Sequence, residues 1–199
     1  KQVALELIQA AKKGITSPGW NRFKDLKVKK LRVSGSEPTL GKKHLLSLLK
    51  QVEQSGYPFY LETNGISFGS DKDYVKQISQ FSEFIYVRIS FKAATPTGFT
   101  QRTGAIGETY ELPFKALKYL VDEGIFARAA AMTDSSIMPE EERNLLIERL
   151  DEIDPEANYS RTLEEEQMDL YDTTVKRLQA FSSLKYAKEL EAEIKRSKV

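Results

Sequence analysis

Four short segments place small, hydroxyl-bearing and charged residues at the ends of stretches that predict β-strands. They are Ser34–Leu40 (SGSEPTL), Leu61–Gly65 (LETNG), Arg88–Lys92 (RISFK) and Ala131–Ser135 (AMTDS). In parallel α/β proteins the ligand binds at the carboxyl ends of the strands. One polar strand end is ordinary capping chemistry for the next helix. Four of them at a common edge predict a pocket for a polar ligand.

The segment Ser34–Leu40 is the most specific of the four. Gly35 allows the backbone to approach a ligand closely, and Pro38 restricts the turn. Together they would present the Glu37 carboxylate at the rim, where it could bind an ammonium group or a hydroxyl. A second interpretation is equally open at this point: the hydroxyls of the segment only cap the helix that begins near Lys42.

The elements that position these segments alternate between amphipathic helices and short apolar runs. Strands are predicted at 30–34, 58–62, 84–90 and 126–132, and helices at 2–13, 42–54, 71–79, 112–123 and 139–153. The stretch 92–110 is predicted to be a loop with a short helix. Because no tight hairpin turn joins the strands, we expect parallel βαβ units with right-handed crossovers.

The pattern changes from about Asp154. Pro155 interrupts the preceding helix, and the rest of the chain offers no strand candidate. Two helices are predicted, at 163–180 and 183–196, with Glu164–Glu166 in the first turn of the former, where negative charge is favourable. We therefore expect a β/α domain over residues 1–153 and a helical C-terminal extension over residues 154–199.

Composition excludes several classes of function. Lys and Arg number 30 against 29 Asp and Glu, and a formal net charge of +1 gives no field that would steer the chain to DNA or an anionic membrane. The chain has no cysteine, so a disulfide, a zinc ribbon or a thiol nucleophile cannot form within it. The single histidine, His44, is expected to be a surface or helix-terminus residue and not a catalytic one. No apolar stretch reaches the ~20 residues of a membrane span, and we expect a cytoplasmic protein.

Taken together, the turn Ser34–Leu40 and the strand end Leu61–Gly65 resemble those of the radical SAM superfamily. Its members carry a Gly-Gly-Glu-Pro-Thr-like turn after the second strand, and many follow it, one βα unit later, with Leu-Glu-Thr-Asn-Gly, which stands here unaltered. The third strand ending in Ser90 and the loop Phe99–Gly104 are also similar to the family. The resemblance covers roughly residues 1–153.

This resemblance implies an α/β fold, an incomplete parallel (β/α) barrel or partial TIM barrel, that binds S-adenosylmethionine and a 4Fe-4S cluster. In the family, cleavage of the bound cofactor yields a 5′-deoxyadenosyl radical that abstracts hydrogen from a substrate. The cofactor carries the chemistry and the protein positions it. The implied partners are an unknown small-molecule or protein substrate and an electron donor such as flavodoxin or ferredoxin, with no DNA and no membrane.

By residue match, the resemblance also implies cofactor-binding positions at all four strand ends. They are Gly35, Ser36, Glu37, Pro38, Thr63, Asn64, Ser90, Lys92, Arg102 and, near the adenine, Met132. Glu37, with the backbone of the two residues before it, would hold the methionine amino end. Asn64 would lie near the ribose or the carboxylate, and Ser90 would contact the ribose. Lys92 or Arg102 would neutralise the carboxylate.

The chain departs from the family in its cluster ligands. The family binds its cluster through a Cys-x3-Cys-x2-Cys loop, because thiolates hold iron–sulfur clusters, and this chain has no cysteine. We expect the first strand and that loop to precede the helix at 2–13, and the chain as written to be inactive, with its catalytic residues unknown. The alternative is a degenerate, non-catalytic barrel that binds a nucleotide-like ligand or a protein partner.

Overall fold

A computed structural model describes residues 29–33, 36–135 and 137–167 of the chain. The predicted helices at 2–13 and 183–196, most of the one at 163–180, and Gly35 lie outside these residues. The strands, helices and contacts given below are those of the described part of the chain.

Five strands form one all-parallel sheet in the order β1-β2-β3-β4-β5. They are β1 Leu31–Val33, β2 Phe59–Thr63, β3 Ile85–Phe91, β4 Ala127–Met132 and β5 Glu164–Glu166. Strands that follow one another in sequence are neighbours in space, so the order never reverses as it does in a doubly wound sheet. That is the strand order of a barrel, and it confirms the predicted parallel α/β fold, which is consistent with a partial barrel.

Seven α-helices and two 3₁₀ turns connect the described strands. The helices are α1 Lys42–Glu53, α2 Ile66–Ser70, α3 Lys72–Ser79, α4 Pro96–Thr103, α5 Glu111–Asp122, α6 Glu140–Ile153 and α7 Tyr159–Thr162, and the 3₁₀ turns are Pro38–Gly41 and Gly107–Tyr110. In α1 the buried residues Leu45, Leu49 and Val52 recur at helical spacing. Each helix predicted within the described part is present, within two residues at either end. None of the described helices has both the length and the apolar character needed to cross a membrane.

Strand β3 shows how the sheet separates its two faces. Ile85, Val87 and Ile89 are at most 2% exposed and belong to one apolar core that includes residues of the helices. Arg88 and Ser90, which alternate with them, are half-buried. Side chains alternate along a strand. The helices therefore cover the face that carries Ile85, Val87 and Ile89, and Arg88 and Ser90 lie on the opposite face.

The prediction for Glu164–Glu166 is wrong. These residues form a strand, in register with Ala130–Met132 of β4, instead of the first turn of a helix. Their side chains alternate across the strand and each meets an arginine: Glu164 and Glu166 bind Arg88, and Glu165 binds Arg143. These long-range ion pairs and the β4 hydrogen-bonding edge outweigh the local preference for acidic residues at a helix start. The predicted domain division between residues 153 and 154 stays a prediction.

Candidate functional site

The Glu37 carboxylate lies where the turn after β1 meets the carboxyl end of β2. Its Oε1 accepts hydrogen bonds from the Thr39 backbone N–H (3.1 Å), the Thr39 hydroxyl (2.6 Å) and the Thr63 hydroxyl (2.7 Å). Its Oε2 accepts one from the Asn64 backbone N–H (2.7 Å). Thr39 and Thr63 are only 1% and 4% exposed. We call these four residues the Glu37 junction.

The junction tests the capping interpretation of the turn. The residue that caps the 3₁₀ turn is Glu37 itself, and the N-cap residue of α1 is Gly41, which has no side chain to cap it. The hydroxyl of Thr39 donates to Glu37, so the interpretation in which the hydroxyls of this segment only cap the helix is wrong. Each carboxylate oxygen has about two lone-pair sites. Oε1, with three donors, is fully used, whereas Oε2 accepts a single bond from the described residues and retains one site.

The end of β2 is shaped by its own short-range hydrogen bonds. The Thr63 hydroxyl accepts from the Gly65 N–H (3.1 Å), and the Asn64 Oδ1 accepts from the Ile66 N–H (2.9 Å) at the start of α2. Gly65 has φ +77°, a conformation that glycine adopts without strain. The Asn64 side-chain amide therefore keeps its N–H donors for a ligand, since no described residue accepts from them.

At the end of β3 a half-buried cation lies beside a hydroxyl. The Lys92 Nζ donates a 2.8 Å hydrogen bond to the Ser90 hydroxyl and forms no ion pair with any described residue. Burial lowers the pKa of Lys92, with the positive charge of Arg88 acting in the same direction and the negative charge of Glu166 opposing both. An anionic ligand group could form the ion pair that this ammonium does not make with any described residue.

Arg102 is already fully bonded within the protein. Its five N–H donors reach the Glu142 carboxylate (2.9 and 2.5 Å), the Ile137 carbonyl (3.2 and 3.0 Å) and the Lys92 carbonyl (3.2 Å). A guanidinium has five such donors, so none remains for a ligand. Of the two cations that the resemblance offered for a carboxylate, the geometry favours Lys92.

The strand register brings the other predicted residues to the same edge of the sheet. Thr63 pairs with Ile89, which makes Asn64 and Ser90 the next positions on neighbouring strands. Phe91 pairs with Ala131, and the next positions are Lys92 and Met132. Met132 in turn is in register with Glu166. Ser36 is exposed and Pro38 half-buried in the turn that leads to this edge.

Three acidic residues near this edge were not among the predicted site residues. Glu142 binds Arg102, and Glu164 and Glu166 each bind Arg88 at 2.6 Å. The sequence carries no signal for these pairs, because 40 to 78 residues separate their members. The pairs form only through the sheet register and the packing of α6.

The residues present do not fit an iron–sulfur cluster. Cluster iron is held by thiolates, and the chain has no cysteine. Within the described ranges no three His, Asp or Glu side chains come together as a metal site. His44 is exposed on α1, as predicted.

A cavity of about 500 Å³ lies at the opposite end of the sheet. Its walls come from residues that precede β2 and β3 and from the second residue of β3; the lining residues are Glu53, Gly56, Tyr57, Pro58, Gln80, Glu83, Phe84 and Tyr86. It opens at the amino ends of these strands, and the Glu37 junction lies at their carboxyl ends. The cavity is therefore separate from the predicted site.

No protein-family model matches the chain, and no curated protein matches it in sequence. Its fold is similar to the structure of TYW1 with a lysine-pyruvate adduct bound, with a TM-score of 0.54 and 15% identity over 92% of this chain and 59% of that one. A crystal structure of archaeal TYW1 is also similar, with a TM-score of 0.46 and 19% identity over 90% of this chain and 60% of that one. The chain thus spans about three-fifths of the TYW1 chains. TYW1 is a radical SAM enzyme, and the chain shares its fold with the first of these structures.

Proposed function

We propose that the chain is the S-adenosylmethionine-binding core of a radical SAM enzyme. The Glu37 junction carries this proposal, because it joins the Glu-Pro-Thr turn and the Leu-Glu-Thr-Asn-Gly strand end, the two motifs of the resemblance, through one carboxylate. The parallel fold shared with TYW1 supports it. The carboxyl edge of a parallel sheet is also where such folds bind ligands.

The donors and acceptors at this edge fit the polar groups of S-adenosylmethionine. The remaining acceptor position on Glu37 Oε2 suits the ammonium of the methionine end, and the Lys92 ammonium suits its carboxylate. The Ser90 hydroxyl and the Asn64 amide can bond to ribose hydroxyls. Met132, at the end of β4, would contact the adenine as a polarizable apolar side chain.

We assign the radical chemistry to a protein that also carries the ligands of the cluster. With a 4Fe-4S cluster present, S-adenosylmethionine would supply a 5′-deoxyadenosyl radical for hydrogen abstraction, with flavodoxin or ferredoxin as the electron donor. Because the residues of this chain do not fit the cluster, no catalytic step is assigned to them. Their proposed task is to bind and orient S-adenosylmethionine.

Isothermal titration calorimetry with S-adenosylmethionine, adenosine and ATP tests this function. We expect S-adenosylmethionine to bind weakly, since the cluster supplies part of its site, and more tightly than adenosine. Lys92→Met should weaken binding of S-adenosylmethionine about tenfold, the effect of losing roughly 1.4 kcal/mol of interaction. Lys118→Met is the matched control, because Lys118 is exposed on α5 and pairs with Asp122.

Two outcomes would contradict the proposal. One is a folded protein, by circular dichroism, that releases no heat with S-adenosylmethionine at millimolar concentration. The other is binding of ATP or adenosine with no preference for S-adenosylmethionine, which would point instead to a degenerate barrel for nucleotide-like ligands.

A further inference from the structure

The loop that follows β3 is held by two side chains from different helices. Glu142 of α6 accepts hydrogen bonds at Oε1 from the Ala94 N–H (3.0 Å) and the Thr95 hydroxyl (3.4 Å). Arg102 of α4 donates to the Lys92 carbonyl (3.2 Å) and pairs with Glu142 through both of its terminal nitrogens. We call Arg102 and Glu142 the clamp.

The clamp is largely shielded from water. The two side chains are 12% and 11% exposed. Burial alone would raise the pKa of Glu142. Hydrogen bonds from Arg102 and from the Ala94 N–H to the carboxylate outweigh this effect and hold the pKa below its ordinary value. A two-point pair between a guanidinium and a carboxylate has a defined geometry in addition to its charge attraction. Because both side chains of the clamp also bond to the main chain of the loop, the pair holds that main chain in place.

The packing of α4 is matched to the clamp. A Cβ atom on Gly98 would lie 2.5 Å from the Arg102 Nη1 and 2.5 Å from the Glu142 Oε1. Any larger residue at this position would therefore push the two charged groups apart. Because Gly98 has no side chain, the Arg102 guanidinium and the Glu142 carboxylate have space to pair beside α4.

We propose that Arg102 and Glu142 are positioning residues for Lys92. By fixing the main chain from Lys92 to Ala94, the clamp directs the Lys92 ammonium along the strand end to the Ser90 hydroxyl, where it meets the carboxylate of the bound ligand. A lysine side chain is flexible, with four carbons between the main chain and the ammonium group. Its direction therefore depends on a fixed main-chain position and on a partner that binds the ammonium. The inference rests on the proposed function, because it assumes that Lys92 contacts S-adenosylmethionine.

The test compares S-adenosylmethionine with its decarboxylated form, which differs only by the carboxylate. The measured quantity, obtained by calorimetry, is the dissociation constant of the decarboxylated form divided by that of S-adenosylmethionine. Wild-type protein should prefer S-adenosylmethionine by about tenfold, the usual effect of roughly 1.4 kcal/mol, and Lys92→Met should bring the ratio close to one. Arg102→Lys, which keeps the charge and loses the two-point geometry, should lower the ratio to within about threefold of one.

This ratio separates positioning from general destabilisation. Damage to the fold would weaken both ligands equally and leave the ratio unchanged, whereas a misdirected Lys92 weakens only the ligand with a carboxylate. Arg143→Lys is the matched control, since Arg143 is next to Glu142 on α6 and makes a similar two-point pair, but with Glu165 of β5. If Arg102→Lys does not fold, Glu142→Gln provides the same test with a smaller change, and the same fall in the ratio is expected.

The outcomes distinguish this inference from the function on which it rests. If wild-type protein binds neither ligand, the proposed function fails and the inference fails with it. If wild-type protein discriminates and Lys92→Met removes the discrimination, the proposed function stands. In that case a ratio unchanged from wild type in both clamp variants overturns the inference alone. Discrimination that survives Lys92→Met would also overturn it.

Discussion

The Thr63 hydroxyl donates a 2.7 Å hydrogen bond to the Glu37 carboxylate across 26 residues of sequence. The same carboxylate oxygen accepts a hydrogen bond from the Thr39 hydroxyl at 2.6 Å, so one half-buried acceptor binds groups from the turn and from the strand end. This arrangement gives Glu37 a structural task in addition to its proposed contact with ligand. The two motifs of the site are one hydrogen-bonded unit.

Thr63→Val should destabilise the protein more than Thr63→Ser. Valine keeps the shape but removes the donor to Glu37 and the acceptor for the Gly65 N–H, and an unsatisfied buried group costs about 1–3 kcal/mol. Serine retains the hydroxyl and loses one buried methyl group, about 0.8 kcal/mol. Urea unfolding measures the difference. Equal unfolding free energies for the two variants would contradict the structural role of the junction.

Gly65→Ala should cost more stability than Gly56→Ala. Both glycines have a positive φ, +77° and +73°, which costs an alanine about 1–2 kcal/mol. Only at Gly65 would the new Cβ meet other atoms, at 3.1 Å from Ile89, 3.1 Å from Pro113 and 3.3 Å from Ala116. We expect this overpacking to lower the free energy of unfolding by about 1 kcal/mol or more beyond the loss at Gly56. Chemical denaturation measures the difference. Gly56 is the internal control, since a Cβ added there would have no described atom within 4 Å.

Lys92→Met should raise the unfolding temperature at neutral pH while it weakens binding of S-adenosylmethionine. Burial lowers the pKa of Lys92 below its ordinary value of 10.5, so the folded state disfavours the protonated form. That cost is present below the pKa in the folded state and disappears as the pH rises toward 10.5. The gain in stability should therefore shrink with rising pH in calorimetric scans. A gain that does not change with pH would show that burial of the charge is not its cause.

Glu165→Gln should lower stability at neutral pH and have no effect in strong acid. The hydrogen bond from Arg143 lowers the pKa of Glu165 from its ordinary value of 4.5 to about 2. The stabilisation is therefore present above about pH 4.5 and is lost as the pH falls toward 2. Both side chains are about one-third exposed, 31% and 40%, and solvent reduces the effect to about 0.5–1 kcal/mol. Acid titrations followed by fluorescence should show the two unfolding free energies converging.

The main elements of the fold could be predicted because their signals are local. Strand β3 alternates apolar and polar residues over Ile85–Phe91, and α1 repeats its leucines at helical spacing. These periods depend on neighbouring residues alone. Strand β5 could not be predicted, since three consecutive glutamates favour a helix start and become a strand only beside β4 and two arginines.

The site was predictable in part for the same reason. The polar strand ends Glu37, Thr63 and Asn64 could be identified from their types and order, and the structure joins them directly. The sequence did not reveal that Arg102 is fully bonded to Glu142 and two carbonyl groups. It therefore offered Arg102 and Lys92 as equals.

By itself, the sequence determined the alternation of strands and helices, the polar strand ends and the lack of thiolate ligands. Each follows from composition or from contacts a few residues apart. Only the tertiary structure decided which charges are partners: Arg88 with Glu166, and Arg102 with Glu142. Partners 40 to 78 residues apart meet only after the sheet register and the helix packing are set. Long-range packing therefore leaves Lys92 as the half-buried cation beside Ser90.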